Sequence, residues 1–299
     1  MSGYDVFCYG EIGIDNIIQL PHLPSPELAA FPTADSYHVG GAAANTALWL
    51  ARFGFTVGLS GNVVGDDWHG RQLWQALQQH PTLDLQHVQR QEGASTPFCR
   101  VMVTPDGERS FLILGYPQAA KTALTRQMLG SARFLALDLY GGEERLQAAR
   151  VARSAGVLTT CGDVVDVEHP ALPLTDIATN SGAFTRQAFP GSEARAHAHK
   201  LQRISGGIVI GTDGANEVYT VDRDGSAFTV QPPAVNVVDA TGAGDAFRAG
   251  LLAGMLRGCS LHESVRWGVA AGSLKVQHTG AATIIPSLQE VTALANTLR

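Results

Sequence analysis

The amino-acid sequence predicts an α/β fold, in which helices cover both faces of a central, mostly parallel β-sheet and a small second β-sheet lies beside it. Three observations support this prediction. The chain has 299 residues, enough for one large domain with a sizeable core. From residue 133 onward, strand-like and helix-like segments alternate, which is typical of parallel sheets. Earlier in the chain, short segments of alternating polarity separated by Pro and Gly indicate additional strands.

The first part of the chain supplies strands for both predicted sheets. Residues 4–9 and 55–62 are expected to form two strands of the central sheet, and residues 46–53 a helix that precedes the second of them. The small sheet is expected from three separate segments, about 14–20, 36–40 and 96–114. In the last of these, Pro105-Asp106-Gly107 is a hairpin signal between strands 96–104 and 108–114. Asp66 or Asp67 is expected to cap the next helix, which runs to Gln79.

The second part of the chain alternates regularly between strands and helices. The predicted order is strand 134–139, helix 143–154, strand 157–161, strand 176–179, a helix to Arg203, strand 207–211, strands 218–221 and 228–230, and helices from Ala243, Ser260 and Ser287. In such sheets, ligands bind beyond the carboxyl ends of the strands. Asp163 and Asn180 fall just past two of these ends.

Composition and charge exclude several classes of protein. Hydrophobic residues make up 45% and charged residues 16% of the chain, which is ordinary for a globular protein. A net charge of −6 and scattered Lys and Arg exclude a nucleic-acid-binding surface. No apolar run is long enough to span a bilayer, and no signal peptide is visible. Four cysteines far apart indicate reduced thiols, so we expect a cytoplasmic protein without membrane contact.

The segment from Asp239 to Gly250 is the strongest indication of function. Gly242 and Gly244 bracket a turn that leads into a helix, and such a turn leaves backbone N–H groups free to bind an anion. Asp245 places a carboxylate beside that position, which suits a site that must also take a proton from an attacking hydroxyl. Ordinary helix capping is the alternative. A dinucleotide-binding fingerprint would need glycine at Phe247, and the chain has no P-loop motif.

The motif Asp-Ala-Thr-Gly-Ala-Gly-Asp-Ala-Phe closely resembles the C-terminal signature of the PfkB carbohydrate kinases, a family that includes ribokinase, fructokinases and adenosine kinase. The resemblance runs over nearly the whole chain. It implies a single ribokinase-like α/β domain over residues 1–299, with the small sheet as a lid over the sugar. It also implies that Gly242, Ala243 and Gly244 form an anion hole for the transferred phosphoryl group, and that Asp245 activates the substrate hydroxyl.

Two N-terminal motifs extend the resemblance. Asp15 matches the aspartate that holds substrate hydroxyls in the family, and Gly40-Gly41-Ala42-Ala43-Ala44-Asn45 is similar to the N-terminal signature. The resemblance implies that Asp15, Gly40, Gly41 and Asn45 bind the acceptor. Taken alone, Asp15 is a turn residue and the two glycines form a tight strand-to-helix turn. Glu11 departs from the family pattern, so it either changes substrate preference or faces solvent.

The resemblance also implies ATP and Mg²⁺ as cofactors. Thr212, Gly214, Thr241 and Gly280 match nucleotide-binding positions, and the segment around Gly280 resembles a loop that helps to hold a monovalent cation such as K⁺ in many relatives. The loop after residue 212 is, alternatively, a simple hairpin turn. Most relatives carry Asn-x-x-Glu where this chain has Asn180-Ser181-Gly182-Ala183. Asn180, Asp163 or waters are therefore left to hold Mg²⁺.

These observations predict an ATP-dependent kinase that phosphorylates a hydroxymethyl group of a sugar or sugar derivative. A nucleoside kinase of the same fold is the first alternative, and a sugar or nucleotide sensor without catalysis is the second. Arg248, one turn after Asp245, is expected to bind an anionic group of the acceptor, to steady Asp245, or to face solvent. Because an open four-stranded sheet has exposed edges, we expect a homodimer formed through the lid.

Overall fold

The computed structural model describes residues 3–106, 109–163, 166–191 and 193–298. Within these residues the strands are β1 (Val6–Gly10), β2 (Gly13–Gln19), β3 (Ala34–Gly40), β4 (Val57–Gly61), β5 (Val64–Gly65), β6 (Leu83–Asp84), β7 (Arg90–Gln91), β8 (Phe98–Val103), β9 (Arg109–Leu114), β10 (Phe134–Asp138), β11 (Leu158–Gly162), β12 (Ile177–Ser181), β13 (Ile208–Thr212), β14 (Val218–Val221) and β15 (Ala227–Val230). The helices are α1 (Ala42–Arg52), α2 (Trp68–Leu77), α3 (Arg126–Leu129), α4 (Glu143–Ala155), α5 (Gly182–Ala188), α6 (Ala194–Ser205), α7 (Ala243–Leu256), α8 (Leu261–Lys275) and α9 (Leu288–Ala295), with a short 3₁₀ turn at Leu172–Leu174.

The central sheet has nine strands in the order β15-β14-β13-β12-β11-β10-β1-β4-β6. All neighbouring pairs from β13 to β6 are parallel, and β14 pairs antiparallel with both β13 and β15. The predicted α/β fold with a mostly parallel sheet is therefore confirmed. The carboxyl ends of β10, β11, β12 and β13 meet at one edge, where ligands bind in sheets of this type.

Helices cover both faces of the central sheet because its strands are apolar on both sides. In β1, Val6 and Cys8 pack into one core with α1, α7 and α8, whereas Phe7 and Tyr9 pack into the opposite core with α4 and α6. This alternation follows from the two-residue repeat of a strand. Helix α7 also lies very close to α8, since a Cβ at Gly250 would stand only 2.5 Å from the carbonyl oxygen of Trp267.

A separate four-stranded sheet forms from the predicted segments, in the order β3-β2-β8-β9. Its β2–β3 and β8–β9 pairs are antiparallel, and β2 pairs parallel with β8. The β2–β3 register places Asp15 opposite His38 and Gly13 opposite Gly40. This small sheet therefore delivers Asp15 to the start of α1. Gly107 and Glu108, predicted in the hairpin turn and at the start of its second strand, lie outside the described residues.

Several predicted elements differ from the observed ones for local reasons. The single helix predicted up to Arg203 is wrong: α5 ends at Ala188 and α6 begins at Ala194, because Pro190 and Gly191 interrupt the helical pattern. Asn180 lies inside β12 rather than beyond its end. The predicted cap is confirmed at Asp67, whose carboxylate accepts the N–H of Gly70 at 2.8 Å. In the described part of the chain, no helix is both long and apolar enough to cross a membrane.

Candidate active site

The turn before α7 has the backbone geometry expected of an anion-binding site. Gly242 caps the helix with a left-handed φ of 73°, which favours glycine, and a Cβ there would lie 2.4 Å from the Cβ of Ala281. Gly244 differs, because a Cβ there would meet no heavy atom within 4 Å. Within the described residues, the N–H groups of Gly244 and Asp245 have no hydrogen-bond acceptor. The first turn of α7 therefore presents free N–H groups to open space.

Asp245 lies in this first turn and faces a cavity. Asn45 Nδ2 donates a hydrogen bond to Asp245 Oδ2 at 3.2 Å, which joins α1 to α7. Burial raises the pKa of Asp245 to about 6, although the charge of Arg248 and the hydrogen bond from Asn45 both lower it. A carboxyl group with this pKa is ionised at neutral pH yet basic enough to accept a proton.

The cavity in front of Asp245, which we call the phosphoryl cavity, has a volume of about 200 Å³. Its lining joins the turn before α7 to the carboxyl ends of the central strands, and comprises Tyr140, Asp163, Thr179, Ser181, Thr212, Ala240, Gly242, Ala243, Gly244, Asp245, Phe247 and Arg248. The cavity is thus open rather than filled by side chains of the protein. A phosphoryl group placed in it would contact both the free N–H groups and Asp245.

The four residues predicted to bind the acceptor meet on the other side of Asp245. Asp15 is buried, and burial together with the negative charge of Asp245 raises the pKa of Asp15 to about 7. Gly40 leaves room for this carboxyl group, since a Cβ at Gly40 would stand 2.2 Å from Asp15 Oδ1. Gly41 has a φ of 90° and approaches the carbonyl oxygen of Glu11. The Oδ1 atom of Asn45 is buried without a hydrogen-bond partner, so it is available to a substrate hydroxyl.

The tight-turn alternative for the two glycines also describes the structure, because the contacts above pack them against the chain itself. Their role toward a sugar stays a prediction. Glu11 does not simply face solvent: it is partly buried, and burial together with the charge of Asp138 raises the pKa of Glu11 above its ordinary value. Glu11 therefore belongs to a polar cluster with Asp138.

Sequence reasoning missed the residues that organise this cluster. Asp138, at the end of β10, accepts the N–H of Glu11 at 2.6 Å and forms a buried ion pair with Arg145 at 2.9 Å. Tyr140 donates to Asp163 at 2.6 Å. The signal was available for Asp138 and Tyr140, since both follow a buried apolar strand at the edge where ligands bind.

Two of the four predicted nucleotide positions, Thr212 and Gly214, line a second, apolar cavity of about 440 Å³, whereas Thr241 and Gly280 do not line it. This cavity adjoins the phosphoryl cavity at Gly244. The hairpin alternative is also correct for the backbone, because β13 and β14 pair antiparallel across this loop. An apolar cavity next to free N–H groups suits a nucleotide whose base enters one cavity and whose phosphates enter the other.

Thr241 and Gly280 are tied together by Asp239. One carboxylate oxygen of Asp239 accepts the N–H of Thr241 and the other accepts the N–H of Gly280, both at 2.8 Å. The ammonium group of Lys275 donates to the carbonyl oxygens of Asp239 at 2.6 Å and of His278 at 3.1 Å. Burial lowers the pKa of Lys275 to about 8, against the raising effect of Asp239. This network fixes the turn before α7 to the loop after α8.

The two predicted metal ligands do not line the same cavity. Asp163 lines the phosphoryl cavity, where its carboxylate accepts hydrogen bonds from Tyr140 and from the N–H of Ser181. Asp163 is the one non-glycine residue with a left-handed φ (55°) in the described ranges, and aspartate tolerates this conformation. Asn180 instead lines a neighbouring cavity of about 390 Å³. The described residues contain no cluster of three or more His, Cys, Asp or Glu side chains that could hold a metal.

One of the alternatives predicted for Arg248, a position facing solvent, is wrong. The side chain is only 5% exposed. It also forms no ion pair with Asp245 within 4.0 Å, and its Nε atom is buried without a hydrogen-bond partner among the described residues. Arg248 lines the phosphoryl cavity instead.

Comparison with known proteins identifies the family. A model described as pfkB family carbohydrate kinase matches residues 4–288. The chain belongs to this family. The chain is 30% identical to the aminoimidazole riboside kinase of Salmonella typhimurium over 280 residues, which cover 83% of this chain and 84% of that protein. It is 28% identical to the nucleoside kinase of Methanothermobacter thermautotrophicus over 297 residues, 96% of this chain and 94% of that protein.

The fold of this pfkB protein is similar to that of Arabidopsis thaliana ribokinase complexed with ribose and ATP. The TM-score is 0.83 at 22% identity, and the match covers 98% of this chain and 99% of that chain. The ribokinase-like fold and the family resemblance predicted from the sequence are both confirmed. As a member of the family, the protein is a phosphotransferase with an alcohol group as acceptor.

Proposed function

We propose that this pfkB kinase transfers the terminal phosphoryl group of ATP to a hydroxymethyl group of a sugar or sugar derivative, with Asp245 as the base. One observation supports this proposal above all. A carboxylate with a pKa of about 6 stands in the first turn of α7, between free N–H groups that suit a phosphoryl group and the side chains of Asp15 and Asn45. Such a pair of neighbouring sites is what phosphoryl transfer to an alcohol requires.

The reaction follows from this arrangement. Asp15 and Asn45 accept hydrogen bonds from acceptor hydroxyls and hold the acceptor beside Asp245. Asp245 takes the proton of the attacking hydroxyl as its oxygen bonds to the terminal phosphorus, and the bond from that phosphorus to the bridging oxygen breaks to release ADP. The N–H groups of Gly244 and Asp245 donate to the phosphoryl oxygens as charge builds on them. Asp245 then returns its proton to solvent.

ATP and Mg²⁺ fit the two adjoining cavities. The base and ribose would occupy the apolar cavity at Thr212 and Gly214, and the phosphates would lie over Gly244. Asp163 would hold Mg²⁺, because a carboxylate that faces the phosphoryl cavity is the ligand type this ion prefers. The ion would compensate phosphate charge. Asn180 is not placed to contact an ion in the phosphoryl cavity, since it lines another cavity.

The test is the Asp245→Asn variant in an ADP-release assay. We expect kcat to fall on the order of 10²-fold or more, with little change in ATP affinity, because the amide cannot accept the proton. Asp67→Asn is a matched control on α2 that lies outside the site. Turnover close to that of the unmodified protein in Asp245→Asn would remove Asp245 from the mechanism.

A nucleoside acceptor is the second candidate, because both the nucleoside kinase and the aminoimidazole riboside kinase match most of this chain. A nucleoside offers the same hydroxymethyl group to Asp245 and differs only in what fills the acceptor pocket. ADP release measured over a panel of free sugars and nucleosides separates the two. A sensor without catalysis would bind members of the panel but release no ADP.

We also propose a homodimer through the small sheet and a cytoplasmic location. Strand β9 has an unpaired edge in the described chain, and Phe111, Leu112, Ile113 and Leu114 are 40–64% exposed. A second copy would cover these side chains. The four cysteines are free thiols, as in a reducing compartment. Light scattering of the protein and of Ile113→Lys tests the dimer: a monomeric unmodified protein contradicts it.

A further inference from the structure

Arg248 is a buried cation without a partner in the site. The side chain is 5% exposed, and no carboxylate of the described residues lies within 4.0 Å of it. Its Nε atom is buried without a hydrogen-bond partner, and none of its nitrogens donates to a described residue. A guanidinium group left unpaired in this way is costly to bury. A ligand that supplies acceptors for this guanidinium group would remove that cost.

The surroundings are shaped around this guanidinium group. A Cβ at Gly162 would lie 1.9 Å from an Nη atom of Arg248, so the glycine at the end of β11 leaves the space that the side chain needs. Arg248 stands one turn after Asp245 on α7 and lines the same cavity of about 200 Å³. That cavity also contains the free N–H groups of the α7 first turn.

The residues that line the cavity indicate which kind of anion would meet Arg248. The cavity is lined by Gly242–Asp245 and Asp163, and neither Asp15 nor Asn45 of the acceptor side contributes to it. On the acceptor side, Asp15, Glu11 and Asn45 carry no positive charge that could pair with an anionic acceptor. We propose that Arg248 binds the phosphoryl group in transfer, and so acts as a catalytic residue on the side opposite the acceptor. A planar guanidinium group matches phosphoryl oxygens with two parallel hydrogen bonds.

This inference rests on the proposed kinase function, and its test separates the two. Arg248→Met keeps the length of the side chain and removes its charge. We expect kcat to fall on the order of 10²-fold or more. Affinity for a non-hydrolysable ATP analogue, measured by calorimetry, should fall about tenfold, while ADP affinity stays unchanged. Arg257→Met at the exposed end of the same helix is the matched control, with unchanged values.

A merely supportive role for Arg248 predicts a different result. Arg248 lowers the pKa of Asp245, so its loss moves the acid limb of the pH profile to higher pH. If that were its whole contribution, Arg248→Met would recover the normal rate at pH values well above the limb, with the normal preference for the ATP analogue over ADP. That outcome overturns the proposal. A lowered plateau at every pH supports it.

Two further outcomes are decisive. If Arg248→Met does not fold, Arg248→Lys is measured instead, because lysine keeps the charge but loses the second hydrogen bond. A kcat of Arg248→Lys that is about tenfold lower supports the proposal, and a normal kcat overturns it. If the unmodified protein phosphorylates no acceptor and Arg248→Met still loses affinity for the ATP analogue only, the kinase proposal fails while phosphoryl binding by Arg248 stands.

Lys275 carries a second, independent inference. The predicted monovalent cation was expected near Gly280, and Gly280 donates to Asp239 Oδ2. The Nζ atom of Lys275 lies 3.8 Å from this oxygen and donates to the carbonyl oxygens of Asp239 and His278. Two carbonyl oxygens and a carboxylate are the donor set of a small cation, and here a fixed ammonium group fills it. The residues therefore do not fit an exchangeable K⁺.

We infer that Lys275 replaces a monovalent cation and makes this kinase independent of K⁺. The unmodified protein should release ADP at the same rate in KCl and in choline chloride of equal ionic strength. Lys275→Ala should lose activity about tenfold or more, because the turn before α7 is no longer tied to the loop after α8. Its melting temperature and activity should rise with KCl and not with choline chloride.

Activation of the unmodified protein by KCl overturns this inference, as does a Lys275→Ala variant that responds equally to both salts. If Lys275→Ala does not fold at all, Lys275→Arg serves instead. It keeps a cation in the site and should remain insensitive to KCl, so a Lys275→Arg variant that KCl activates more than choline chloride overturns the inference. Because melting temperature needs no acceptor, the test does not depend on the kinase proposal.

Discussion

Gly244→Ala separates the stability of the fold from the function of the site. Gly244 lies in the first turn of α7, and a Cβ there would meet nothing within 4 Å. Alanine is therefore accommodated without a clash and gains up to about 1 kcal/mol from helix propensity. For a chain of 299 residues, that gain raises the melting temperature by about 1–2 °C.

The same methyl group stands in the space proposed for the phosphates. It would push the terminal phosphoryl group away from the N–H groups of the turn, and a displacement of about 1 Å costs on the order of 10²-fold in rate. We therefore expect a variant that melts higher but has a much lower kcat/KM for ATP. Differential scanning fluorimetry and ADP release at low ATP concentration measure the two quantities. Normal kcat/KM would refute the reasoning that phosphate passes over Gly244.

Three further predictions concern the same turn and its surroundings. Gly242→Ala should destabilise the protein by about 1–2 kcal/mol or more in chemical unfolding, because a left-handed φ of 73° and a contact with Ala281 both oppose a Cβ; unchanged stability would contradict this. The rate should also depend on pH, because Asp245 (pKa about 6) must be ionised to take a proton and Asp15 (pKa about 7) must be ionised to accept two hydrogen bonds. We expect kcat/KM to fall as the pH drops below 7, and more steeply below 6. The Asp15→Asn variant should lose the upper of these two steps. Asp67→Ala should cost about 1 kcal/mol of stability through the lost cap on α2 and leave kcat unchanged, and a changed kcat would place α2 in the site.

Local chemistry made the core of the site predictable. The turn at Gly242, the free N–H groups beyond it and the carboxylate of Asp245 all follow from contiguous residues, so no tertiary information was needed to expect them together. The same holds for the cap at Asp67. The parallel sheet was also predictable, since strands buried on both faces read as apolar runs.

Contacts between distant segments were not predictable in this way. Asp138 accepts the N–H of Glu11 across 127 positions of sequence, and nothing in either segment indicates the other. The separation of Asn180 from Asp163 into two cavities likewise depends on where β12 ends. The break between α5 and α6 is different, because Pro190 and Gly191 indicate it in the sequence itself.

The sequence alone determined the fold class and the family, and it predicted Asp245 as the base, because each depends on short motifs whose backbone geometry is set by neighbouring residues. Only the tertiary structure decided where Arg248 and Lys275 lie and what surrounds them. Both are charged residues on helices that pack tightly against each other, and their burial results from that packing rather than from any local pattern. The interactions of a buried charge depend on what surrounds it in three dimensions. Arg248 lines the phosphoryl cavity, and Lys275 donates to two carbonyl oxygens.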